Sequence, residues 1–210
     1  MKEKISPFLI NTPSAVIYDS ADDSVFYPIE NSKQDEFTAI FVGNTVRRVK
    51  NFSSIQRICK LARIKLIVAR NIPHDMLVHE YAKADVCINF STFEGGPQTF
   101  SESALCGIPM LIRDNNPLSR KIPCFTGKTE HDFVEVLRSL KNDRGRCIKR
   151  GEEARNAVLE SFTYAKTATK FANFFLMLAR QDKLIYDNAI PLMSSFQCVF
   201  IPLMSALQCA

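Results

Sequence analysis

The sequence predicts an α/β fold, a doubly wound parallel sheet closed by C-terminal helices, and three observations carry that expectation. Short runs rich in Val, Ile and Phe alternate with amphipathic helical stretches from residue 37 to about residue 125. The run DVCINF at 85–90 has an unbroken apolar centre, which marks a strand buried on both faces. Beyond Glu130 the strand signals stop and helical periodicity alone continues.

The elements follow in order. FTAIFV at 37–42 reads as a first strand and stops at Gly43 and Asn44. Residues 51–63 are helical, with Phe52, Ile55, Ile58, Cys59 and Ala62 on one face. A second strand is expected at 64–69, a helix at 74–84 and a third strand at 86–90. The turn EGGP leads into a helix at 98–106, with Pro97 at its start and Gly107 closing it. A strand at 108–112 and a last short one at 121–125 complete the sheet, and helices at 130–141, 143–161 and 163–180 close the chain. In such sheets ligands bind beyond the carboxyl ends of the strands. The loops after 42, 69 and 90 share that edge.

Composition narrows the class. Of 210 residues, 46% are hydrophobic and 23% charged, which describes a folded chain. Seven cysteines without a C-x-x-C pair, and three dispersed histidines, suit neither a disulfide framework nor a zinc site, and no cofactor or metal is expected. Cys59, Cys87 and Cys106 read as buried thiols in a reducing compartment. The start, MKEKI, lacks the apolar core of a signal peptide, so the expected location is cytoplasmic. Charge is unevenly spread: 37–74 holds no acidic residue but eight basic ones, Arg47, Arg48, Lys50, Arg57, Lys60, Arg63, Lys65 and Arg70. Taking those eight from the 27 basic residues leaves 19, against 22 acidic, so one region carries the whole excess. It suits a diphosphate or an anionic membrane surface. Few aromatics and no recognisable module speak against nucleic acid. Arg57, Lys60 and Arg63 also fit a solvated helix face; Arg47, Arg48 and Lys50 fall on a strand-to-helix loop.

EGGPQTFSE at 94–102, followed by CGIP at 106–109, says most about chemistry. A glycine turn feeding a helix N-terminus presents free N–H groups and a positive dipole end, which suits an anion. Glu94 and Glu102 bracket it, and carboxylates accept hydrogen bonds from sugar hydroxyls. Such a pocket suits a ligand with phosphates in the middle and hydroxyls at each end.

This stretch resembles the donor-binding motif of retaining glycosyltransferases of family 4, in which two glutamates are separated by seven residues. The resemblance covers roughly residues 14–181. It implies the C-terminal, Rossmann-like half of a GT-B fold. By that resemblance Glu94 faces the donor sugar hydroxyls, Glu102 the ribose hydroxyls, and the amides of Gly95, Gly96 and Pro97 the sugar and phosphates, with Gln98 next to them in the same substrate-binding stretch. FVGNTVRRVKN at 41–51 resembles the family's first strand and loop, where an arginine and a lysine meet the diphosphate. Gly43 and Lys50 match it; Asn44 stands where the arginine belongs, which leaves that part to Arg47 or Arg48. The loop at 71–74, with Ile72, corresponds to the segment that holds the nucleotide base through its backbone. His74 reads as a helix-start residue without a chemical role, and His79 and His131 as structural or surface residues.

The domain reading is a linker-like segment 1–36, a nucleotide-sugar-binding domain 37–181 and an apolar tail 182–210. Val16 to Asp19 and Val25 to Pro28 resemble the family's interdomain linker without its glycine. The family's glycine-rich loop and glutamate near Pro117 are replaced by Asn115, Asn116, Pro117, Leu118 and Ser119. The tail carries IPLMSSFQC at 190–198 and again, nearly unchanged, IPLMSALQC at 201–209. It approaches the ~20 residues of a membrane span, but its prolines and glutamines favour a loosely docked tail. Two functions of different class follow. One is a donor domain for retaining transfer from a nucleotide-diphosphate sugar, acting with a separate acceptor-domain subunit and at most a peripheral contact at the inner face of a membrane. The other is a non-catalytic nucleotide-sugar-binding module or truncated remnant.

Overall fold

The computed structural model describes residues 14–30 and 35–189, with side chains described through residue 179. Five parallel strands form one sheet: β1 Thr38–Val42, β2 Lys65–Ala69, β3 Val86–Asn89, β4 Met110–Arg113 and β5 Phe125–Gly127. Their order is β2-β1-β3-β4-β5. Ile40 lies opposite Ile67 on one side and Cys87 on the other, and Ile88 lies opposite Leu111. The strand order therefore reverses between β1 and β3, and the crevice outside their carboxyl ends is where a ligand fits.

Helices cover both faces, as a parallel sheet requires. They are α1 Phe52–Ala62, α2 Leu77–Ala82, α3 Gln98–Leu105, α4 Glu130–Asn142 and α5 Gly145–Ser161; a further helix, α6 Tyr164–Ala189, follows α5 in the chain. Side-chain alternation sorts the strands into two cores. Ile40, Cys87, Met110 and Ile112 pack with Tyr81 of α2, Phe100 and Leu105 of α3, and Ala154 and Val158 of α5. Ala39, Phe41, Val86, Ile88 and Leu111 pack with Ile55 and Ile58 of α1 and with Phe133 and Leu137 of α4. The expected thiols Cys59, Cys87 and Cys106 are buried, and burial pushes Cys59 and Cys106 up to about 12.

Two local devices hold this arrangement. Gly107, with φ 73, ends α3 and directs Ile108 N–H back to the Ser103 carbonyl at 2.8 Å. Gly151 of α5 lies against the same corner; a Cβ there would stand 2.0 Å from the Gly107 oxygen. The helix α4 opens with a capping box in which Thr129 accepts from Asp132 N–H and the Asp132 carboxylate accepts from Thr129 N–H. Residues 14–30 lie on the first core: Ala21 and Phe26 are fully buried, and Ala21 bridges Thr163.

Several expected boundaries move. The strand expected at 121–125 is Phe125–Gly127 instead. A 3-10 turn at Pro117–Arg120 draws the amides of Lys121 and Ile122 back to the Leu118 carbonyl, so they cannot reach β4. Ile122 is buried for packing, not for pairing. The helix expected from 74 begins as a 3-10 turn, His74–Met76, and the strand expected at 108–112 begins at Met110. By compactness the chain divides into residues 1–170 and 171–210. The repeated tail at 190–209 lies outside the described residues, and among those described no helix is long and apolar enough to cross a membrane.

Candidate functional site

The loops after β1 and β3 are stitched together at the switch point. Thr92 donates its N–H to the Val49 carbonyl at 3.0 Å, and Asn51 Nδ2 reaches the Phe90 carbonyl at 3.3 Å. Asn51, at φ 49, turns the chain from a 3-10 turn, Arg48–Lys50, into α1. That turn swings Lys50 inward. Its ammonium pairs with Oε1 of Glu94, while Asn89 of β3 donates Nδ2 to Oε2 at 2.8 Å. Both charges are mostly shielded, with side chains 17% and 13% exposed. A carboxylate held by an ammonium and an amide keeps further lone pairs for hydroxyl donors.

Glu102 is placed differently. It sits on α3 and is 3% exposed, with Tyr81 Oη donating to Oε2 at 2.9 Å and His74 Nε2 at 2.9 Å from Oε1. The Phe26 ring packs edge-on against His74 at 5.0 Å and Tyr81 at 6.1 Å, which fixes both partners. Burial, reinforced by the Glu102 charge, holds the Tyr81 hydroxyl protonated as a donor, its pKa far above the usual value. The His74 side chain is half exposed, so it forms the solvent-facing lid of this carboxylate. His74 opens a 3-10 turn, as expected of a helix-start residue, and its ring also reaches Glu102, a contact that the sequence reading did not include.

The other expected residues distribute as follows. Gly43 ends β1, its N–H bonded to the Ala69 carbonyl at 3.1 Å. Arg47 and Arg48 stand exposed on the basic loop, and Arg70, from the end of β2, steadies that loop through Thr45 Oγ1 at 3.0 Å. Arg57 lies apart, paired with Glu130. Ile72 is exposed beyond β2, next to Asn71 at φ 58. Gly95, Gly96 and Gln98 lie at the N-terminus of α3, whose first-turn amides have no intrahelical acceptors. Pro97 has no N–H, so the expectation of an amide from it is corrected: it caps the helix with φ −67 and offers no donor. The buried Cys87 thiol feels the charge of both Glu102 and Glu94, and burial foremost pushes its pKa up. Both carboxylates follow β3 in the chain, Glu94 in the loop after it and Glu102 on α3.

A pocket of about 230 Å³ adjoins Glu94, lined by Asn89 at the end of β3, Ser91 and Phe93 after it, Arg113 at the end of β4, and Asn115 and Asn116 after that strand. Sequence reasoning did not foresee Asn89 or Arg113. Asn89 had no signal beyond a polar residue in an apolar strand. Among the described residues, no three His, Cys, Asp or Glu side chains converge as a metal site would require.

Comparison with known proteins agrees with the fold. A family model described as "Glycosyl transferase-like" matches residues 37–173. No curated protein is a significant sequence match. Among solved structures, sucrose-phosphate synthase from Thermosynechococcus elongatus superimposes with a TM-score of 0.73 at 15% identity, covering 86% of this chain and 57% of that one. A mutant TarM of S. aureus, solved with fondaparinux, α-GlcNAc-glycerol and UDP, gives 0.68 at 12% identity, over 83% and 42%. The C-terminal domain of a glycosyl transferase group 1 family protein from Francisella tularensis gives 0.56 at 13%, over 69% of this chain and 99% of that one. The chain thus spans about half the length of the first two.

Proposed function

The chain belongs to the glycosyl transferase-like family, and from that premise we propose that it is the donor domain of a retaining, family 4-like enzyme that binds a nucleotide-diphosphate sugar. The observation that carries the reading is the cluster of Lys50, Glu94 and Asn89 at the β1/β3 switch point. Glu94 accepts hydroxyls of the transferred sugar. The amides of Gly95, Gly96 and Gln98, at a positive helix end, meet the phosphates. As the bond from the anomeric carbon to the diphosphate oxygen breaks, the electron pair leaves with the diphosphate. Lys50 stabilises that charge, with Arg47 or Arg48 closing over it from the exposed side. The backbone around Ile72 receives the base, and Glu102, through the oxygen that His74 screens, the ribose. The acceptor is bound by a separate domain or subunit. The place of action is the cytoplasm, with at most peripheral contact at a membrane's inner face.

Calorimetry with UDP, GDP and their sugar conjugates tests this. Binding of one nucleotide series, abolished or strongly weakened in Lys50→Ala, is expected. No heat with any of them at millimolar concentration overturns it.

A further inference from the structure

The pocket between the carboxyl ends of β3 and β4 carries two buried polar atoms that have no hydrogen-bond partner, Ser91 Oγ and Arg113 Nε. Both belong to residues lining the pocket, and such orphans are uncommon enough in folded proteins to need a reason. Arg113 stacks on Phe90, its guanidinium carbon 5.1 Å from the ring centroid, and Phe90 is itself braced edge-on by Phe133 at 4.8 Å. Stacking takes up the flat face of the guanidinium and leaves its in-plane N–H groups to serve a ligand. Asn116, also buried, accepts from Leu118 N–H at 2.9 Å through Oδ1, so what it can still offer is its NH₂ group.

The unspent groups are therefore donors: a hydroxyl, a guanidinium that cannot deprotonate, and an amide. The acidic residue on the lining, Glu94, is already paired with Lys50. Asp114, beside Arg113 in sequence, faces Lys128 at 3.8 Å. A donor-rich, cationic recess attracts an anion. Its volume of about 230 Å³ holds roughly seven or eight water-sized groups, too few for a nucleotide but enough for a substituent and part of a sugar ring. It is also continuous with Glu94, the residue assigned to the sugar. The asparagines at 115 and 116 fall where this chain departs from the glycine-rich loop of the family it resembles, and Arg113 ends the strand that leads into it.

We infer that this recess is a specificity subsite for a carboxylate on the transferred sugar, so that the donor is a nucleotide-linked hexuronate. The carboxylate takes the in-plane N–H groups of Arg113, with the Ser91 hydroxyl as a further donor, while Glu94 holds a neighbouring hydroxyl. The inference rests on the donor-domain reading and names the substrate class for the same site.

The test is calorimetry of UDP-glucuronate against UDP-glucose, and of GDP-mannuronate against GDP-mannose, on the full chain and on Arg113→Gln and Ser91→Ala. In one nucleotide series the uronate is expected to bind about tenfold tighter than its neutral parent. Arg113→Gln is expected to erase that preference, so that the uronate and its neutral parent bind with equal affinity. The Arg113 Nε–H resonance gives a second readout that needs no variant to fold for binding: it should move with the uronate and stay with the neutral sugar. Equal affinity for uronate and neutral parent, or a preference that survives Arg113→Gln, overturns the subsite and leaves the donor domain standing. Absence of binding by every nucleotide overturns the donor domain and the subsite together.

Discussion

Lys50 and Glu94 are two opposite charges that the fold has drawn out of water, and each is costly without the other. Lys50→Ala is expected to weaken nucleoside diphosphate and nucleotide-sugar binding together, by about 1–3 kcal/mol, and nucleoside binding hardly at all. Isothermal titration of the three ligands separates these outcomes; equal losses for all three would instead indicate a distorted loop. Glu102 poses the opposite problem, a carboxylate at 3% exposure whose oxygens meet Tyr81 and His74. Tyr81→Phe removes a buried donor and keeps the ring, so it should cost about 1–3 kcal/mol of stability in urea unfolding. Glu102 was legible as half of a spaced pair, but its partners were not. They arrive from a different loop and helix, and nothing in local sequence states which helix faces which.

Among the elements, α4 shows most directly how local chemistry sets a boundary. Its Thr129 and Asp132 satisfy each other's orphan amides, and Thr129→Ala is expected to lower stability by about 1 kcal/mol. The amides of Lys128 and Thr129 hold the Asp132 carboxyl below its ordinary value of 3.8. A depressed folded-state pKa means that the stabilisation is complete above 3.8 and is lost as pH falls through the lower, folded value. Unfolding midpoints measured between about pH 5 and about pH 2 should therefore fall less steeply in Asp132→Asn than in the parent chain. The 3-10 turn at Pro117–Arg120 shows the converse case. Proline and an Asn116 side-chain cap were readable signals there, yet the apolar residues after them imitated a strand, because burial against a helix and burial in a sheet use the same residue types.

For the molecule as a whole, the α3–α5 corner and the switch point are the two places where distant segments must meet. A Cβ at residue 151 would strike the Gly107 carbonyl at 2.0 Å, so Gly151→Ala should separate α5 from the sheet and cost about 1–3 kcal/mol, read as a lowered Tm. Saturating nucleotide should move Tm the other way; at a hundredfold excess over Kd, about 2.7 kcal/mol of stabilisation is expected. A Tm indifferent to nucleotide would count against the donor reading. The sequence by itself determined the parallel α/β class, the helix faces, the thiol burial and the stretch at 94–109, because each follows from patterning or spacing within a few turns of chain. Tertiary structure alone decided that β1 and β3 are neighbours, and hence that Lys50 meets Glu94 across 44 residues. It also decided that His74 screens Glu102 and that Arg113 and Ser91 share one recess. Those encounters depend on strand order and helix packing, and the free energy that selects them is spread over the whole core.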